Sequence, residues 1–202
     1  MRETLAECER AGHRDGLAAG LGPALDGAGA DAAPGSVAAL PSAAVPPRAS
    51  LVPHPLAARE GVSFVRRPAR HRSATPERLT ALAARLAAVR LGLTRRLAER
   101  AVDHLSGRVG GGEPLIRRQL VLGTLADARV ELEVARRTLR VAGSLPAAVA
   151  EVHDRLTELD WELAKLLGGS GYAGDSAVRG VVVSRLVANC WVAREATGEA
   201  AP

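Results

Sequence analysis

Aromatic side chains are nearly missing from this 202-residue chain: Phe64, Tyr172, Trp161 and Trp191 make up 2% of it. Sheets favour aromatic and β-branched residues on their pleated faces, whereas helices pack well with Ala, Leu and Arg. The shortage argues against an all-β sandwich or barrel. Cysteine is equally scarce. Cys8 and Cys190 are too few for a disulfide framework or a four-thiolate zinc site. No apolar run reaches the roughly 18 residues of a membrane span, and the longest, Gly180 to Val192, is broken by Arg185 and Asn189. The first ten residues carry acids and lack an apolar core, so they do not read as a signal peptide. These absences lead us to expect a cytoplasmic, reduced protein without a membrane partner.

Lysine is reduced to Lys165, so 26 of the 27 basic residues are arginine, within a formal net charge of +5. The arginines are scattered among acids, with no aromatic platform and no helix-turn-helix signature, so nucleic acid is not the expected partner. There is no Gly-x-Ser-x-Gly elbow, phosphate loop or His-Glu-x-x-His motif. Gly169, Gly171 and Gly174 match Gly-x-Gly-x-x-Gly, but they follow a helical pattern rather than a strand, which removes the Rossmann reading. The five histidines are dispersed. His104 and His153 fall on helices, where a structural or solvated role outweighs metal ligation, and no metal is expected.

Residues 1–72 and 73–202 differ in kind. The first block holds eight of the twelve prolines, and its Ala and Gly from Gly20 to Pro55 follow no helical or strand period. Such a stretch reads as a mostly irregular, flexible segment, with a short helix near Glu3–Arg14 and one short strand at most. From Thr75 the pattern turns helical: a capping Thr75, Pro76 at the first helical position, then Leu79, Leu82, Leu86, Val89, Leu93, Leu97, Ala101 and Leu105 at steps of three and four. Gly107 and Gly110–Gly112 stop it. Pro114 is expected to open a second helix, with Val121, Leu125, Ala128, Leu132, Ala135 and Leu139 facing inward. A third carries Leu145, Val149, Val152, Leu156, Leu159, Leu163 and Leu166 and ends at Gly168-Gly169; a fourth spans Ser176 to Val192. Four such stripes must bury one another, so the expected fold is all-α, an antiparallel four-helix bundle.

Two constellations stand out. One runs Arg108-Val109-Gly110-Gly111-Gly112-Glu113-Pro114-Leu115, then Gln119, then Leu125-Ala126-Asp127. The other is Lys165-Leu166-Leu167-Gly168-Gly169-Ser170-Gly171-Tyr172. Each sets a glycine turn at a helix end beside a charged side chain, and free N–H groups at a helix start favour an anion. The plainer alternative is that the glycines only terminate helices and Arg108 is solvated.

In order and spacing, residues 76–192 resemble the C-terminal helical domain of the flavin-dependent acyl-CoA dehydrogenase family. That family carries Arg-x-x-Phe-Gly-x-Pro-Ile, a Gln eleven residues after the Arg, Leu-Ala-Asp, and later Gln-x-x-Gly-Gly-x-Gly-Tyr. Arg108, Gly112, Pro114, Gln119, Leu125, Ala126, Asp127, Gly168, Gly169, Gly171 and Tyr172 fall on that pattern. The resemblance implies an FAD site shared across a subunit interface, held by Arg108, Gln119, Lys165, Gly168 and Gly169. It also implies an acyl thioester substrate that loses an α-proton while a β-hydride goes to flavin. Expected partners are a second copy, or a fuller acyl-CoA dehydrogenase chain. The departures are as informative. Gly111 stands for the family's phenylalanine and Lys165 for its glutamine. The usual glutamate base would fall at Val192 or beside it, where Ala188-Asn189-Cys190-Trp191-Val192 offers no carboxylate. Glu195 is the nearest acid and the one catalytic candidate; Leu82, at the family's other base position, is not acidic. An N-terminal helical domain and a central β-domain are not evident. Two readings result: a flavin-dependent enzyme component working with a partner chain, or a catalytically degenerate assembly module.

Overall fold

A computed structural model describes residues 2–67, 74–172 and 174–193 of the chain. Its axis is a 31-residue helix, α4 (Pro76–Ser106), which begins as the residues dictate: Thr75 Oγ1 accepts from the Arg78 N–H at 3.4 Å, with Pro76 and Glu77 in the first turn. All eight apolar positions expected to face inward are buried. So are Ala83, Ala84, Ala87, Ala88, Leu91 and Gly92, because α4 is covered on nearly every side.

Helices α5 (Gln119–Ala142), α6 (Pro146–Leu166) and α8 (Ser176–Trp191) complete the bundle. Contacts between α4 and α6 rise together, His153 against Ala83 and Arg90 and then Asp160 against Thr94, so these two helices run in the same direction. Helices α5 and α8 run opposite to them, giving an up-down-up-down arrangement. The all-α class holds, with two local differences. Pro114 does not open a helix. It sits in a small hairpin, β4 (Val109–Gly110) against β5 (Glu113–Pro114), followed by a helical turn, and α5 starts five residues later. The reason is the pair Gly111 and Gly112, whose φ of 65° and 87° form the two-residue turn that joins antiparallel strands. Leu145 is 57% exposed, because α6 begins only after it.

The amino-terminal region holds more regular structure than its composition suggests. The short helix expected near Glu3–Arg14 is α1 (Arg2–Asp15), and α2 (Leu17–Leu25) follows. Where at most one strand was expected there are three: β1 (Val37–Pro41), β2 (Leu51–Val52) and β3 (Val62–Arg66), an antiparallel sheet in the order β1-β3-β2. Between β2 and β3 lies the short helix α3 (Pro55–Arg59). The alternation that marks a strand is hidden because Ala38, Ala39 and Leu40 are all buried. Indole Nε1 of Trp191 donates to Ala39 O at 2.9 Å and fastens α8 to this sheet. Helix α1 lies against α4, where only glycine fits. A Cβ at Gly12 would come within 2.4 Å of Val89 O, and one at Gly92 within 2.2 Å of Glu9 O. No described helix is long and apolar enough to cross a membrane.

Candidate functional site

The parallel course of α4 and α6 sets the geometry of the site. Their C-termini finish at one end of the bundle, where α5 and α8 begin. Arg100 Nε binds Asp175 at 3.0 Å, pinning the segment after the short helix α7 (Gly169–Tyr172) to the last turns of α4. Arg108, Gln119, Lys165, Gly168 and Gly169 therefore share that end, and all five are exposed.

Each residue does something different there. The Arg108 guanidinium has no ion-pair or hydrogen-bond partner among the described residues. Its charge is felt by His104, whose pKa lies below the ordinary value through slight desolvation and then the nearby Arg108 and Arg100, opposed by Asp175. Gln119 opens α5, a 24-residue helix with no side-chain cap and no acid in its first turn. That N-terminus is flanked by Arg117 and by Arg118, whose Nη2 donates to Gly110 O at 2.6 Å. Free amides, the helix dipole and an unpaired arginine suit a phosphate or pyrophosphate group. Lys165 instead turns back along α6 and pairs with Glu162 at 2.6 Å. Gly168 adopts φ +55°, the left-handed conformation that ends α6, and a Cβ at Gly168 or Gly169 would meet nothing within 4 Å. Helix termination accounts for Gly168, while the open space beside both glycines leaves room for a ligand. The donor set fits the pyrophosphate of a dinucleotide.

Most positions where a base would stand are buried, while Cys190 is half-buried and Asn189 is exposed. Trp191 is fully buried, Val192 is 8% exposed, and Leu82 is 1% exposed. Burial pushes the Cys190 thiol up to about 11, so it is protonated at neutral pH and is no base. Glu195 lies outside the described residues.

Sequence reasoning missed a buried polar cluster joining α4, α6 and α8. Arg90, 1% exposed, donates to His153 O at 2.8 Å, Thr157 Oγ1 at 2.9 Å, Asp160 at 3.3 Å and Ser184 Oγ at 3.3 Å. Asp160 also accepts from Thr94 at 2.7 Å. His153 Nε2 donates to Ala83 O at 3.0 Å, which leaves Nδ1 to accept from Arg90. Burial lowers the pKa of Arg90 and raises that of Asp160 to about 6, the latter against the pull of Arg90 and Thr94. The cluster ties α4, α6 and α8 together, and Thr157 and Asp160 also line a small cleft between α6 and α8. The available signal was Arg90, Thr94 and Asp160 interrupting otherwise apolar faces. Among the described residues no group of three His, Cys, Asp or Glu could hold a metal.

The helical bundle has counterparts among known proteins. The profile described as "Acyl-CoA dehydrogenase, C-terminal domain" matches residues 73–200. Butyryl-CoA dehydrogenase from Megasphaera elsdenii is similar in fold at TM-score 0.54 and 17% identity, over 78% of this chain and 48% of its own. A glutaryl-CoA dehydrogenase from Mycobacterium smegmatis, solved in complex with FADH2, gives 0.54 and 19%, over 76% and 48%. FkbI, from biosynthesis of a methoxymalonyl extender unit, gives 0.54 and 21%, over 70% and 46%. The chain thus spans about half the length of these proteins. No curated protein matches it in sequence.

Proposed function

The chain belongs to the acyl-CoA dehydrogenase family, and from that premise we propose that it is a component of a flavin-dependent acyl-thioester oxidoreductase. In this reading it contributes one end of its bundle to an FAD site completed by a second polypeptide. The observation that carries the proposal is that Arg108, Gln119 and the Gly168–Gly169 bend lie at one exposed end, with Arg108 unpaired among the described residues. A dinucleotide resting there is open to water on its far side until another surface covers it.

Bound FAD would supply hydride acceptance from the β-carbon of an acyl thioester. The chain's own residues bind and orient. Arg108 offers a planar fork to a phosphate, and the uncapped start of α5 adds oriented N–H groups. Gln119 supplies an amide that both donates and accepts, and the open flank of Gly168 and Gly169 lets backbone come close. Lys165 reaches the site only by leaving Glu162, an exposed pair held weakly. Removal of the α-proton falls to a carboxylate of the partner or to Glu195.

Purified alone, the chain is expected to be colourless and inactive toward acyl thioesters, and to retain FAD when purified with a fuller family chain. Arg108→Glu in that complex should release flavin, measured as the flavin-to-protein absorbance ratio, without lowering the melting temperature. A stoichiometric yellow flavin with acceptor reduction by the lone chain would overturn the dependence on a partner. One observation favours the second reading, an assembly module without chemistry: Leu82, Trp191 and Val192, at the family's base positions, are all packed in the core. A stable complex that holds no flavin would support it.

A further inference from the structure

Three arginines from three elements converge where the amino-terminal layer meets the bundle. Arg59 closes α3, Arg96 lies in α4, and Arg179 stands in the first turn of α8; all three line one cavity of about 220 Å³. Two acids share it. Glu60 is already engaged, accepting from Arg179 Nε, with both side chains largely buried. Asp15, Arg59 and Arg96 have no ion-pair or hydrogen-bond partner among the described residues. The cavity thus sets two unpaired guanidinium groups against one unpaired carboxylate. Arg96 is also placed closely: its Nη1 lies 4.0 Å from where a Cβ of Gly16 would stand, beside the backbone that opens α2. Gly16 has a φ of 90°, and α2 begins with no side-chain cap and no acid in its first turn.

We propose that this cavity is an anion site for a phosphate group, free or carried as the monoester of a short chain. A guanidinium offers a planar fork that bonds two oxygens of one phosphate at once, and Arg59 and Arg96 supply two such forks from different elements. The uncapped first turn of α2 adds oriented N–H groups to a site the arginines already define. Leu17, Leu93 and Ala177 line the inner side and are buried, so charges meet there with less screening than in water. Size selects the ligand. A cavity of about 220 Å³ is smaller than the roughly 300–1,000 Å³ of sites for larger ligands, and a dinucleotide does not fit it. The cavity is also separate from the flavin end. Arg96 precedes Arg108 by twelve residues, about 18 Å at about 1.5 Å per residue, and no residue of α5 lines it among the described residues. The inference therefore does not rest on the flavin reading. Because α2 and α3 belong to the amino-terminal layer and α4 and α8 to the bundle, a phosphate held between them stabilises their union by mass action.

The test is calorimetric titration of the flavin-free full chain with inorganic phosphate and, in a second arm, methyl phosphate, at an ionic strength held constant with chloride. One saturable site per chain is expected, and the tighter probe identifies free phosphate or a monoester as the ligand. Arg59→Gln with Arg96→Gln should weaken binding by about tenfold or more, with unchanged helical circular dichroism, since both positions are exposed. Arg95→Gln, next to Arg96 on α4 but paired with Glu99 outside the cavity, should bind as wild type does, and so should Arg108→Glu. Phosphate at about a hundredfold excess over Kd should raise the melting temperature of wild type by about 5–10 °C more than that of the double variant. No saturable binding, or binding that survives the double variant, would overturn the site. Loss of binding in Arg108→Glu would overturn it as well, by moving the phosphate to the flavin end.

Discussion

Asp160 is one of the buried polar residues that join the helices of the bundle. Its carboxyl is desolvated between α4 and α6, and its pKa rises to about 6 although Arg90 and Thr94 both bind it. A carboxyl whose folded pKa lies above its unfolded value of about 3.9 holds its proton more tightly in the native state. Its contribution to stability is therefore fully present below about pH 4 and declines as pH rises through about 6. Asp160→Asn removes the titration and keeps an acceptor for Thr94 and Arg90. Urea unfolding at pH 4.5 and pH 7 should show wild type losing about 2–3 kcal/mol relative to the variant on going to pH 7. Glu133, held below the usual carboxylate range by hydrogen bonds from Arg137 and Arg136, acts in the opposite sense and cancels in the comparison. A difference that does not change with pH would remove the assignment. The residue order marks Arg90, Thr94 and Asp160 only as polar interruptions of apolar faces, because helical spacing identifies which face is buried and not which polar side chains will satisfy one another there. Arg108 is the contrary case: its neighbours along the chain already mark it, and its exposure lets a motif show through without tertiary packing.

Legibility at the level of elements followed the length of the period. Helix α4 was readable to within a residue at both ends, because Thr75 and Pro76 fix its start, Gly107 its stop, and eight apolar positions hold one face between them. The start of α5 was misplaced, since Pro114 suits the first turn of a helix and the end of a strand equally well, and only the left-handed φ of Gly111 and Gly112 decides between them. The sheet went unseen because a strand buried on both faces loses its alternation, and β1 is an Ala-rich example. Less visible still was the crossing of α1 over α4. It gives a prediction whose sign is opposite to helix propensity. Ala is better than Gly in a helix by about 1 kcal/mol, so Gly92→Ala at a free position would stabilise. Here the new Cβ would sit 2.2 Å from Glu9 O and 2.7 Å from His13 N, both backbone atoms of α1. Those atoms move only if the helix moves. The variant should lose about 1–3 kcal/mol, as overpacked sites do, and at about 2–4 °C per kcal/mol the loss is measurable by thermal melting. A rise in melting temperature would mean that α1 is not held there.

At the scale of the whole molecule the question is whether the amino-terminal layer and the bundle unfold together. Ties that cross between them include α1 on α4 through Gly12 and Gly92, Glu9 to Arg136 at 2.7 Å, His13 to Glu99 at 2.7 Å, Asp26 to Arg85 at 3.1 Å, Glu60 to Arg179, and Trp191 to Ala39 O at 2.9 Å. The Arg136 fork takes both Glu9 oxygens, and Trp191 is fully buried where it meets the sheet. A layer joined by buried contacts along most of α4 cannot peel away without exposing Leu86, Val89 and Leu91, so opening one part destabilises the other. We expect one cooperative transition. The chain offers a clean reporter, since its tryptophans are two: Trp161 is 42% exposed and can be replaced by Phe, leaving Trp191 at the junction. In that variant the emission should be blue-shifted in the native state, and its midpoint in heat or urea should coincide with the loss of helical circular dichroism at 222 nm, the usual helix band. If the Trp191 signal is lost first, while the helical signal persists, the sheet and α1 form a separable unit. The bundle end bearing Arg108 and Gly168 would then keep its shape without them, and Arg108→Glu would release flavin from the family complex to the same extent whether or not residues 2–67 are folded.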